Sequence, residues 1–184
     1  SHISSHPWRE LGRLSFFGKS KLCSIDAVYT SLDKTLAADL PKLHRKNPIS
    51  TVYAYEDGAY HSFLAAKALG IRCVYDLPIG HQAAAQETFR LEAELSPAWV
   101  STLTGLTDPP EKLRRKDEEL ALADTIVAAS SFTASTLQGR LKPHQKLAII
   151  PYGAPTACTE LPKRPTSGKL KVLYVGSLTQ RKGI

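Results

Sequence analysis

The chain has 184 residues, 42% hydrophobic and 22% charged, with 11 Gly and 12 Pro, a composition that excludes disordered, collagen-like and coiled-coil chains. At the usual ~150 residues per domain this is one domain, or one domain and a piece of another, and no apolar run approaches the roughly 18 residues that cross a bilayer. A net charge of +7, from 24 Lys and Arg against 17 Asp and Glu, points to an anionic partner. The excess is local, because nine basic residues from Arg140 onward face a single acid, Glu160. A local basic segment of this kind does not describe a protein that coats nucleic acid over its whole surface. The chain contains no Met, and it stops at Gly183-Ile184, just after a glycine turn where a helix is expected to begin, so it reads as a fragment. Cys23, Cys73 and Cys158 are odd in number and form no C-x-x-C pair; they read as reduced, buried thiols of a cytosolic protein, with no disulfide framework and no zinc site.

In chain order, residues 8–17 carry apolar positions at helical spacing, and residues 33–43 form a second helical pattern, broken at Pro41. After Asn47-Pro48, the β-branched and aromatic run 49–55 predicts a strand that ends in the turn Glu56-Asp57-Gly58. Residues 59–69 predict an Ala/Leu-rich helix closed by Gly70. A strand over 71–75 follows and runs into Asp76-Leu77-Pro78-Ile79-Gly80-His81. Helices are predicted over 83–95 and 110–123, a strand over 125–129, a helix from Ser130-Ser131 to about Leu141, and a strand over 146–151. The Pro/Thr/Ser-rich stretch 154–168 reads as a linker, and residues 170–175 predict a last apolar strand ending at Gly176. Short strands alternating with helices predict an α/β fold with a parallel sheet and crossover helices. Ligands of such sheets collect at the carboxyl ends of the strands. No G-x-G-x-x-G, G-x-S-x-G or H-E-x-x-H motif is present, and Lys182-Gly183-Ile184 lacks the Ser or Thr of a phosphate loop.

The segment from Leu170 through Gly176-Ser177-Leu178 to Lys182-Gly183-Ile184 resembles the opening of the donor-binding domain of glycosyltransferase family 4, the glycosyl transferases group 1. Upstream, Ala123 to Thr133 resembles the strand and helix cap that this family places late in its first domain, and Ile149-Ile150-Pro151-Tyr152-Gly153 resembles the strand that closes that domain. Together these segments span residue 53 to the end of the chain. The resemblance implies a GT-B architecture, in which two Rossmann-like domains face each other across a cleft. Residues 1–153 would then be an acceptor-side domain lacking its amino end, 154–168 the linker, and 169–184 the first strand and turn of the donor domain. The family's paired glutamates would lie beyond Ile184, so this fragment is expected to be inactive alone.

A departing nucleoside diphosphate needs cations or aligned N–H groups. The resemblance gives that work to Gly176, Ser177, Arg181 and Lys182, with no metal and no cofactor. Lys182 would act as a point charge; Ser177, where the family often has Arg, offers only a hydroxyl. The bland alternative for Arg181 and Lys182 is two solvated charges. The family often has a His where this chain has Tyr75 and Asp76. Asp76 and His81 are therefore the catalytic candidates, either binding a sugar or acceptor hydroxyl or serving as a turn residue and an idle loop histidine. Glu56 and Asp57 could bind acceptor hydroxyls or cap the next helix. Ser130 either caps its helix or faces the cleft, Gly153 is expected to serve chain geometry at a hinge, and Tyr152 reads as core.

The function implied is transfer of a sugar from a nucleotide-activated donor to a glycan, lipid or small-molecule acceptor, by a cytoplasmic protein whose basic segment either touches an anionic membrane surface or serves plain solubility. A noncatalytic α/β module binding an anionic ligand or partner is the alternative. Nucleic-acid binding lacks the aromatic residues interleaved with basic ones that stacking requires.

Overall fold

The structure is a computed structural model that describes residues 5, 7–14, 24–103, 106, 108–156, 168–169 and 172–182. Helices α1 (Trp8–Leu14) and α2 (Ile25–Lys46) precede strand β1 (Thr51–Tyr55), helix α3 (Tyr60–Ala68) and strand β2 (Arg72–Leu77). Helix α4 (Gln82–Leu95), a 3₁₀ segment (Pro97–Thr102), helix α5 (Pro110–Leu122), strand β3 (Thr125–Ala128), helix α6 (Ser131–Ser135) and strand β4 (Lys146–Ile149) follow. The four strands pair in sequence order and all are parallel. The protein is thus α/β, with a parallel sheet flanked by helices, an arrangement compatible with a Rossmann-like fold.

Register assigns the two faces of the sheet. Val52 and Ala54 of β1 stand beside Cys73 and Tyr75 of β2, and with Leu77, Ile126 and Ala128 they form the buried face. Phe63 and Ala66 of α3, Leu40 of α2 and Leu120 of α5 complete this core. The Phe63 and Tyr75 rings meet edge to face at 6.3 Å. Cys73 is free and buried, and burial pushes its thiol up to about 11, as expected of an inert structural cysteine. Cys23 and Cys158 lie outside the described residues. On the opposite face, Tyr53 and Tyr55 stand more than half exposed at 58% and 53%.

Helix α2 begins where Ser24 Oγ accepts from the Ala27 N–H at 3.1 Å, has Asp26 in its first turn and ends on His44, Arg45 and Lys46, an order that suits the helix dipole. The sequence expectation of a break at Pro41 is overturned, because Pro41 lies inside this helix. The interior proline sacrifices a backbone hydrogen bond at a cost of about 3 kcal/mol. The burial of Leu40 in the core and the packing of α2 along α3 hold the helix through it. Helix α3 ends in a Schellman closure: Ile71 N–H donates to Ala66 O, Gly70 N–H donates to Lys67 O, and Gly70 has φ +69°, as glycine allows.

Two further expectations fail. Helix α6 stops at Ser135 rather than near Leu141. The Ser135 and Thr136 hydroxyls donate to the Phe132 and Thr133 carbonyls, competing with helical bonding, and Gly139 turns the chain at φ +72°. The strand predicted over 170–175 is not formed at residues 172–175, where Val172, Leu173 and Val175 are at least 80% exposed. Among the described residues no strand pairs with this run, and an unpaired strand has no ladder to satisfy its backbone groups. Residues 154–156 have no regular structure, and the linker residues 157–167 lie outside the described set.

Candidate functional site

The carboxyl end of β1 is built around buried charges. Helix α3 has no capping side chain of its own at Ala59, and carboxylates from other helices do that work. Glu119 of α5 accepts from the N–H groups of Asp57 (3.0 Å) and Ala59 (3.2 Å) and from the Tyr75 hydroxyl (3.2 Å). Asp33 of α2 accepts from the His61 N–H at 2.7 Å and the Ser62 N–H at 2.9 Å. Glu119 is fully buried. That burial pushes its carboxyl up to about 7, against the lowering pull of the two backbone N–H groups and of Arg115.

Neither Glu56 nor Asp57 caps α3, which corrects that expectation for them, and their carboxylates are ion-paired. They hold Lys116, whose Nζ lies 3.3 Å from Glu56 Oε1 and 3.5 Å from Asp57 Oδ2. Asp57 also faces Arg115 Nη2 at 3.6 Å, and Arg115 pairs with Asp26 at the start of α2. Asp57 adopts φ +74°, a left-handed conformation that aspartate tolerates better than most residues. Burial works against the Lys116 ammonium, but Glu56 and Asp57 outweigh it and hold its pKa above the ordinary lysine value. The buried Glu56 carboxyl is in turn raised by desolvation, against the pull of Lys116. A buried cation kept charged in this way needs both carboxylates.

The two catalytic candidates are separated. Asp76 is a strand residue within β2 rather than part of a turn, on the face of the sheet opposite the Tyr75 core, where it accepts from the Tyr53 hydroxyl at 2.6 Å. That bond pushes the Tyr53 hydroxyl up to about 12. His81 is buried at 4% exposure and caps α4. Its Nδ1 accepts from the Ala83 N–H at 3.3 Å, its backbone N–H donates to Thr136 Oγ1 at 2.9 Å, and its Nε2 stands 3.2 Å from Asp117 Oδ1. Nδ1 as acceptor leaves the proton on Nε2, facing Asp117. Burial, with Arg140 nearby, lowers the imidazole pKa. His81 is neither a substrate-facing group nor an idle loop residue.

Ser130 accepts from the Thr133 N–H at 3.0 Å and caps α6, the plainer of its two expected roles. At Gly153 a Cβ meets nothing within 4 Å and the φ is not left-handed, so neither contact nor φ requires glycine there. Tyr152 is 62% exposed and is not core; its hydroxyl meets that of Tyr55 at 3.4 Å. At Gly176 a Cβ would stand 2.6 Å from the Tyr174 hydroxyl oxygen, so a side chain fits only if that ring moves.

Of the expected diphosphate ligands, Ser177 and Lys182 come together in a 360 Å³ cleft with Ile79 and Gly80 of the β2–α4 loop, Gln82 and Phe89 of α4, and Lys116 of α5. Lys182 sits in a 3₁₀ turn (Gln180–Lys182) rather than at a helix start. Arg181 has a described backbone, but its side chain lies outside the described set. The cleft holds together through Gln180, whose N–H donates to Thr102 Oγ1 at 3.1 Å and whose Nε2 donates to Glu92 O at 2.6 Å and Glu92 Oε2 at 2.9 Å. The methyl-free Gly80 packs against α6, where a Cβ would lie 3.3 Å from Thr136 Cγ2 and 3.4 Å from Phe132 Cε1. Sequence reasoning missed Lys116 and Gln82. Lys116 ends a run of three basic residues followed by three acidic ones on a helix, and only the sheet's topology brings it to the end of β1. Among the described residues no group of three or more His, Cys, Asp or Glu is placed to hold a metal ion. No helix among them is long and apolar enough to cross a membrane.

The fold and cleft define an α/β parallel-sheet protein with a partly cationic cleft beside the carboxyl ends of its first two strands. Comparison with protein-family models, with curated proteins and with solved structures gives no match for the chain.

Proposed function

We propose that this chain serves transfer of a sugar from a nucleotide-activated donor to an acceptor hydroxyl, as part of a GT-B glycosyltransferase. The observation that carries the reading is the meeting of Ser177 and Lys182 with the β2–α4 loop and the buried Lys116 in one cleft. In the transfer, the glycosidic carbon–oxygen bond to the diphosphate breaks as the acceptor oxygen bonds to that carbon, and the acceptor proton leaves to a base. Negative charge grows on the departing diphosphate. Lys182 would stabilise that charge as a point cation; the Lys116 ammonium deeper in the cleft is already paired with Glu56 and Asp57. His81, locked as a helix cap, and Asp76, on the far face, are not proposed as the base.

The test is incubation with radiolabelled uridine-, guanosine- and adenosine-diphosphate sugars and a panel of glycan and lipid acceptors, using this chain and a version extended through the natural reading frame. Sugar transfer or slow hydrolysis by the extended protein, reduced at least tenfold by Lys182→Ala, supports the proposal. Binding without any turnover supports a second reading, a noncatalytic module for an anionic ligand. One observation favours that second reading: Asp108, the carboxylate lining the cleft among the described residues, is already paired with Lys112 at 3.0 Å.

A further inference from the structure

Next to the polar cleft lies a second chamber of 390 Å³, walled by Ala84 and Phe89 of α4, by Phe132 of α6 and Thr136 just after it, and by Ile79 of the β2–α4 loop. The two chambers share Ile79, Gly80, Ala85, Phe89 and Lys182, so they adjoin along α4 and are taken together as one groove. Each volume lies in the range of small-molecule sites, ~300–1,000 Å³. The groove is chemically two-ended. Its outer wall is apolar and open to solvent, with Phe132 70% and Ile79 50% exposed, and α4 buries none of its residues against the core. Its inner end carries the Lys116 ammonium, Gln82 and Ser177.

Lys182 stands where the chambers join and lines both. Among the described residues it forms no ion pair with a carboxylate, whereas Lys112 and Lys116 both do. An unpaired cation at the junction of a polar and an apolar chamber matches one ligand shape, an anionic head with a short apolar chain behind it.

We propose that this groove binds a single-chain amphiphile with a phosphate monoester head, the phosphate resting on Lys182 at the mouth of the polar chamber and the chain lying over Phe89, Ile79 and Phe132. Because Lys182 is also assigned to the donor diphosphate, the amphiphile would compete with the donor there, and only that competition rests on the transfer reading. Binding itself does not, and the test reads binding alone, so loss of either claim is distinguishable from loss of the other.

The experiment is calorimetric titration of the full chain with octyl phosphate below its aggregation range, with inorganic phosphate and with 1-octanol. Variants Lys182→Ala, Ala85→Trp and Phe132→Ser probe the head, the middle and the tail of the groove, and far-UV circular dichroism checks their folds. Phe132 is exposed, so its replacement keeps the apolar wall testable if Ala85→Trp does not fold. A control, Tyr152→Ser, alters an exposed residue beside Tyr55, outside the groove. The proposal expects octyl phosphate to bind at least tenfold more tightly than inorganic phosphate or octanol. Lys182→Ala and Ala85→Trp should each weaken it at least tenfold, Phe132→Ser about threefold or more, and Tyr152→Ser not at all. Equal affinity for inorganic phosphate would remove the apolar end, and equal affinity for octanol would remove the anionic end. Insensitivity to the groove variants, or loss of binding in Tyr152→Ser, would place the ligand elsewhere and overturn the proposal.

Discussion

Replacing Glu119 by alanine removes the acceptor of three hydrogen bonds at once. The Asp57 and Ala59 N–H groups and the Tyr75 hydroxyl all donate to this carboxylate, and each buried donor left unpaired costs about 1–3 kcal/mol. Relief of the carboxylate's own desolvation offsets part of the sum, and Asp33 still serves His61 and Ser62. The expected net loss is therefore about 3 kcal/mol, a large share of the 5–15 kcal/mol typical of a domain. Urea unfolding followed by far-UV circular dichroism at pH 7 should show a lower midpoint with an unchanged slope. The same residue has a pH signature. Its folded-state pKa of about 7 lies above the ordinary glutamate value of about 4.3, so the folded state binds the proton more tightly. The pH-linked part of its contribution is fully present below about pH 4.3 and is lost as pH rises through about 7, a span of about 4 kcal/mol. Glu119→Gln cannot titrate, so the wild-type minus Gln difference should slope across that window. A Glu119→Ala variant within 1 kcal/mol of wild type, or a flat difference curve, would refute this account of the β1–α3 junction.

Lys116→Met should destabilise by about 3 kcal/mol, because it strands the buried Glu56 carboxylate and removes a partner of Asp57, and the urea midpoint reads it. His81 has a lowered folded-state pKa, so its stabilisation is present above the ordinary value of about 6.5 and is lost as pH falls below it. His81→Ala should cost about 1 kcal/mol at pH 8 through loss of the α4 cap and should flatten the acid-side decline of stability. Gly70→Ala should cost about 1 kcal/mol at its positive φ, whereas Gly153→Ala should be neutral within about 0.5 kcal/mol; thermal melts compare the two. Lys182→Ala should leave the melt unchanged while weakening nucleoside diphosphate binding at least tenfold, as seen by equilibrium dialysis.

The alternation of strands and helices was legible because each strand is a short β-branched or aromatic run bounded by Gly, Pro or Asp. Gly70 was legible as a helix end because its role is local. What escaped was decided by long-range contact. The first half of α2 carried a local sign, Ser24 followed by Asp26, but its continuation through Pro41 depends on Leu40 reaching the core. The roles of Glu56 and His81 depend on Lys116 and Asp117, which lie 60 and 36 residues further along the chain. The apolar run at 170–175 has the composition of a strand, but composition supplies no partner to pair with. In the cleft, Ser177 and Lys182 could be singled out only through the family resemblance, and the neighbours that complete it could not be singled out at all.

The central claim is that Ser177, Lys182 and the β2–α4 loop form one site for a phosphorylated ligand. Amide chemical-shift mapping of the isotope-labelled chain, titrated with uridine, guanosine and adenosine diphosphates, tests it most directly. The account predicts saturable shifts for at least one of them, clustered at Gly80, Gln82, Ser177 and Thr179 and suppressed by Lys182→Ala. No saturable shift with any of the three, or shifts centred on Asp76 and Tyr53 across the sheet, would contradict it.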